Sequence, residues 1–154
     1  MDIKMTHSKY QGILLICVIA IAFVTWFGWM SYRQAKTEFM ETKVKQAFAN
    51  EITALSPQWP RIEIHSDAAQ EIYYSPIVDS THTLELYRYM LENLNQDENV
   101  PPVKLAPLVI LKDFGSSEDA LTCQVTLEFP LILGVDRKIM VFSTVKVPHY
   151  ATLK

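Results

Sequence analysis

The sequence predicts an α+β protein in which an N-terminal transmembrane helix continues into an amphipathic stalk helix, packed on a small antiparallel sheet with one further helix. Three observations predict it. A charge-free apolar run lies near the start of the chain, an apolar repeat at three- and four-residue steps follows it, and two stretches of strict alternation fill the last third. The 154 residues are 49% hydrophobic and 20% charged, ordinary figures for one domain had they been spread evenly.

Residues 1–11 form a short N-terminal flank. From Gly12 to Met30 the chain reads GILLICVIAIAFVTWFGWM, about nineteen residues that at ~1.5 Å each match a hydrocarbon core of roughly 30 Å. Only a helix satisfies its own backbone in that solvent. Gly12 and Ile13 open the span and Trp26, Trp29 and Met30 close it; the indoles, with Tyr10 and Tyr32, suit the headgroup level. The one small-residue pattern, Ala20-Ile-Ala22, sits in the middle of the run, so a retained signal-anchor is expected rather than a cleaved leader. Lys4 and Lys9 precede the span, while Arg33, Lys36, Lys43 and Lys45 follow it, diluted by Glu38 and Glu41. Taken literally, that count favours a cytoplasmic head; because a long following domain translocates largely regardless of charge, the expected topology is instead single-pass in the cell membrane with an extracytoplasmic head, the reverse being the alternative.

Residues 31–56 make the stalk. Met40, Val44, Ala47, Phe48, Ile52 and Leu55 recur at helical spacing, with Glu41 and Lys45 at the favourable i,i+4 step on the other side. Met40, Val44 and Phe48 are candidates for an interaction surface. Pro57 and Pro60 then end the helix, and residues 57–154 form the head. Arg61 to His65 alternates as a short strand, and residues 66–76 carry no clear pattern. Asp79, Ser80 and Thr81 offer caps for a helix over 81–95, with Arg88 and Glu92 paired on its outer face. A solvated loop leads to Pro101 and Pro102, a strand covers 107–112, and Gly115 opens a turn. Leu121, Cys123, Val125, Leu127 and Phe129 alternate with polar residues as a half-buried strand does, and 139–147 alternates again. Pro130 to Arg137, between them, reads as a long loop of unusual apolarity. Its Leu131, Ile132 and Leu133 complete the candidate interaction surface.

No catalytic, cofactor-binding or metal-binding constellation is legible. His7, His65, His82 and His149 are scattered, and the metal spacings His-x-x-x-His and Cys-x-x-Cys do not occur. His65-Ser66-Asp67 is the one local cluster, at a strand end where Ser and Asp more often form turns. Cys123 takes an inward position and reads as a small hydrophobe, not a reactive thiolate. Four glycines leave no phosphate-cradling loop, and Glu118 with Asp119 reads as a solvated lead-in to the strand. The net charge of −3 points to no nucleic-acid partner. No enzyme, cofactor or small-molecule substrate is therefore expected.

In layout, a membrane helix running into an amphipathic stalk, a small α+β head and a terminal hairpin of Leu121–Pro130 and Lys138–Val147, the chain resembles pilin-like proteins, and more narrowly the TadE-type minor pseudopilins of tight-adherence pili. Family members with a processed leader carry a Gly before the cleavage point and a Glu five residues after it. Here Gly12 is followed by Ile13, Leu14, Leu15, Ile16 and Cys17, which implies an unprocessed or divergent accessory component. The expected role is thus a membrane-anchored, non-catalytic structural or assembly component of a cell-envelope apparatus, pilus-like or of secretion or conjugation type. Its partners would be the lipid bilayer and other membrane or envelope proteins, a second copy among them. The alternative is a membrane-tethered sensor or ligand-binding module, its pocket lined by Trp59, Tyr73, Tyr74 and Tyr87.

Overall fold

The computed structural model of the protein describes residues 3–66, 71–106, 108–115 and 118–151. It is α+β, with one long N-terminal helix, a second helix and small antiparallel sheets. The chain divides into two compact units, Met1–Glu38 and Phe39–Lys154. The stalk segment expected at 31–56 is thus not a unit of its own, because its side chains from Met40 onward are built into the second core.

Helix α1, Ile3–Leu55, supplies the described part of the first unit. Its run from Ile13 to Phe27 exposes apolar side chains on every face. Among the described residues it is the one helix long and apolar enough to cross a membrane. That agrees with single-pass anchoring. Thr25, the one hydroxyl of the run, donates back to the carbonyls of Ile21 and Ala22 at 2.9 Å, so its only polar hydrogen is satisfied within the helix. The rings of Trp29 and Tyr32 lie 5.9 Å apart at the polar end of the run.

In the second unit α1 changes character. Met40, Val44, Ala47, Phe48 and Ile52 are all buried. These are the three- and four-residue steps read as a stripe, but Met40, Val44 and Phe48 are core, not surface, which corrects their assignment to an interaction face. A single turn of 3-10 helix at Ser56–Gln58, with Pro57 inside it, ends the run. Strands β1, Arg61–Ser66, and β2, Glu71–Pro76, form an antiparallel pair from Arg61↔Pro76 to Ser66↔Glu71. β2 had no signal in the sequence because its two faces, Ile72–Tyr74 and Tyr73–Ser75, are not cleanly apolar and polar. Helix α2, Ser80–Gln96, starts where its cap predicts: the Asp79 carboxylate accepts from the backbone N of His82 at 2.9 Å. Arg88 sets its guanidinium over the ring of Tyr89, 4.9 Å from the centroid, in place of the expected pairing with Glu92.

The second sheet is built on the long strand β5. After the two-residue strand β3, Lys104–Leu105, come β4, Val109–Asp113, β5, Glu118–Pro130, and β6, Asp136–Pro148. β5 pairs along one edge with β3 and β4 and along the other with the whole of β6, in unbroken register from Glu118↔Pro148 to Pro130↔Asp136. The strands therefore run further into the segment read as a long loop, leaving only Leu131–Val135. Leu131 N donates to Val135 O at 2.8 Å, and Gly134, at φ 70°, takes the left-handed conformation that glycine adopts without steric cost. A last short strand, β7, Tyr150–Ala151, leaves this sheet and pairs with β2.

The core lies between the buried face of β5, namely Leu121, Cys123, Val125, Leu127 and Phe129, and the buried residues of α1 with Leu86, Met90 and Leu94 of α2. Polar ties join the same elements. Tyr87 donates to Leu105 O at 3.0 Å, and Lys43 on α1 meets Asp97 beyond α2 at 2.6 Å. The Lys43 ammonium, helped by the backbone and side-chain amides of Asn99, holds the Asp97 carboxyl down to about 2. Phe48, fully buried at the centre of this core, gives the first prediction. Phe48→Ala lowers the stability of the Phe39–Lys154 unit by about 3–5 kcal/mol, measured as a shift in thermal or denaturant unfolding, whereas truncating exposed Leu84 changes it by less than about 0.5 kcal/mol.

Candidate functional site

Four strands or strand ends converge on one polar cluster. Ser75 comes from β2, Lys112 from β4, Asp119 from the first turn of alternation in β5, and His149 from the single residue by which the chain passes from β6 to β7. Asp119 and Ser75 are 0% exposed, and the side chain of His149 is 4% exposed. Ser75 Oγ donates to Asp119 Oδ2, and His149 Nε2 donates to Asp119 Oδ1 at 2.9 Å. Lys112 Nζ lies 3.3 Å from the same carboxylate and donates to Ser75 Oγ and, at 2.6 Å, to Pro76 O. The ring of Tyr73 stacks on His149, centroids 4.4 Å apart and 4° from parallel.

Burial by itself raises the Asp119 carboxyl, but the hydrogen bonds from Ser75 and His149 and the charge of Lys112 outweigh it, and the net direction is below the usual carboxylate range. A carboxylate removed from water is tolerated only with such partners. The order of the groups limits their chemistry. Hydroxyl-activating triads place an imidazole between hydroxyl and carboxylate; here the carboxylate stands between Ser75 and His149. The cluster holds two sheets together, joining β2 to β4, β5 and the β6–β7 crossing.

This cluster escaped the sequence reading, and Asp119 is a direct correction. It was expected to be solvated, yet it continues the inward series Leu121, Cys123, Val125 by one step of two. Extending the alternation backward gave the signal; the charge of the side chain hid it. Cys123 lies on that inward face as expected, and burial pushes its thiol up to about 12. His65 pairs with Glu63 at 3.0 Å, while Asp67 of the suspected cluster lies outside the described residues. Among the described residues no group of three His, Cys, Asp or Glu side chains could hold a metal ion.

The other expected site residues separate by environment. Gly12, Ile13, Trp26 and Met30 of the span are exposed on α1, and Trp29 is partly covered. Leu131 is buried and Ile132 is exposed, so only part of the apolar turn faces outward; the side chain of Leu133 lies outside the described residues. The four aromatics considered for a pocket sit in different environments. Trp59 is buried with its ring 5.3 Å from that of His82, and Tyr73 is committed to His149. Tyr87 borders a groove, an open depression of about 410 Å³ with Ser80, Thr83, Leu84, Leu105 and Leu108.

The outer face of the β5 sheet is unexpectedly apolar. Val109 and Leu111 on β4 and Met140 and Phe142 on β6 are exposed, on either side of Thr122, Gln124 and Thr126. Ion pairs rim it: Glu128 with Lys104 and Lys138 at one end, Glu118 with Lys146 at the other.

No protein-family model, curated protein or solved structure matches the chain. The likeness to pilin-type proteins therefore rests on layout alone, and these residues must carry any functional reading by themselves.

Asp119 supplies two expectations. Asp119→Asn leaves the Lys112 charge buried without its counter-ion and costs about 3–5 kcal/mol, read by denaturant unfolding. The depressed carboxyls of Asp119 and Asp97 contribute stability that is complete above the unfolded value near ~3.9 and is lost as pH falls through the folded values, for Asp97 about 2. Unfolding midpoints should thus decline below about pH 4, and less steeply in the Asp119→Asn variant.

Proposed function

We propose that this chain is a membrane-anchored, non-catalytic structural or assembly component of a cell-envelope apparatus of the pilus, secretion or conjugation type. α1 holds it in the bilayer with the N-terminus inside, and the Phe39–Lys154 unit works outside the cytoplasm through contacts with other envelope proteins. The observation that carries this reading is the contrast between the two kinds of site. The cluster of chemically capable side chains at Asp119 is sealed in a structural joint, while exposed apolar residues gather on a rimmed sheet face, as binding surfaces do. A second reading, a tethered ligand-binding module, draws its support from the groove beside Tyr87.

Two measurements test the proposal. Asn95 is exposed, so Asn95→Cys in a Cys17→Ser background should react with a membrane-impermeant thiol reagent on intact cells or spheroplasts; Cys123 can stay, being buried. Labelling only after lysis would reverse the orientation. A photo-crosslinking residue at Ile132 should then yield adducts of defined mass with envelope proteins. Monomer alone, with a small molecule retained by the purified chain and released by Tyr87→Ala, would favour the ligand-binding module instead.

A further inference from the structure

β6 is an edge with an open side. Its thirteen residues are more than twice the usual strand length of about five or six, and among the described residues only β5 pairs with it. The register with β5 has no bulge, so no bulge turns the outer edge away. Such an edge presents a row of unpaired backbone donors and acceptors, which natural proteins usually interrupt. Here the outward side chains along it are Asp136, Lys138, Met140, Phe142, Thr144 and Lys146.

We infer that β6 pairs antiparallel with β6 of a second copy of this chain, on a two-fold axis through Val141. Two-fold pairing requires the same strand on both sides, and side-chain alternation allows only registers that keep outer face with outer face. Among those, centring on Phe142 opposes Lys138 to Lys146 of the second copy, a like-charge pair. Centring on Met140 carries the residue opposite Lys146 back to Gly134, outside the strand. Centring on Val141 sets Asp136 opposite Lys146, Met140 opposite Phe142, and Lys138 opposite Thr144, each twice by symmetry. The strand is thus complementary to its own reverse, in charge at its ends and in thioether-to-ring contact at its middle. Met140 is 55% and Phe142 53% exposed, so both are available. Eleven opposed residues give about ten new backbone hydrogen bonds and join two outer faces into one continuous apolar surface rimmed by charge. β6 alone carries this pairing, whatever apparatus the chain serves.

The test uses the full chain in its native membrane. Two differently tagged copies, both Cys17→Ser, carry Met140→Cys and Phe142→Cys respectively. Mild oxidation of cells holding both should give a disulfide dimer containing both tags, at several times the yield of either variant alone or of a mixture with Cys at exposed Leu84. Adding Asp136→Lys to both copies should cut that yield roughly five- to tenfold. Placing Asp136→Lys in one copy and Lys146→Asp in the other should recover much of it, since the altered charges again meet as opposites. Uniform yields at all three positions, no mixed dimer, or cross-links only to a different protein would each overturn the self-pairing. Those results leave the Ile132 adducts unaffected, so failure here is distinguishable from failure of the envelope reading.

Discussion

The buried carboxylate of Asp119 is the constraint around which the Phe39–Lys154 unit is arranged. A charge wholly withdrawn from water must be met by donors, and its donors come from β2, β4 and the crossing between β6 and β7. Once Ser75, Lys112 and His149 are committed to it, the strands that carry them cannot separate without exposing an uncompensated charge. Hydrophobic burial holds the helices against the β5 sheet, but it is non-directional. The cluster adds direction, and it is why a hairpin of two six-residue strands and a two-residue strand stay joined to a sheet with which they share no ladder.

α1 meets a second constraint, that one helix carries two different patterns of apolar side chains. Up to about Met30 its apolar groups cover every face, and Thr25 turns its hydroxyl back onto the helix, an arrangement compatible with lipid. From Met40 the apolar groups narrow to a stripe that closes a protein core. No glycine or proline interrupts the change. The helix continues because both halves favour it locally, and it stops where Pro57 denies it a donor.

The head sets its reactive-looking side chains inside and leaves its apolar surplus outside. Cys123 is buried with a raised thiol, Asp119 is buried, and the His149 side chain is nearly so. Meanwhile Val109, Leu111, Met140 and Phe142 face solvent on one sheet surface beside an edge that is unpaired among the described residues. The exposed apolar surface and the open edge are the common ground of the assembly role and the strand pairing proposed above.

Local patterns in the sequence determined a great deal. The apolar helical run from Gly12 to Met30, the stripe from Met40 to Ile52, the Asp79 cap and the alternation about Cys123 each arise from neighbours within a few residues, and each is found in the structure as local structure. What the tertiary structure decided depends on partners distant in sequence. Whether the stripe was surface or core rested on what packs against it, and Met40, Val44 and Phe48 proved to be core. β2 and β7 are strands only because they have each other and β1 to pair with. The cluster joins residues 75, 112, 119 and 149, and no single-chain pattern shows that a carboxylate at one strand end will be answered by a hydroxyl, an ammonium and an imidazole from three others. Burial and charge compensation are properties of the folded whole, so a pattern can say which face a residue takes but not what waits there.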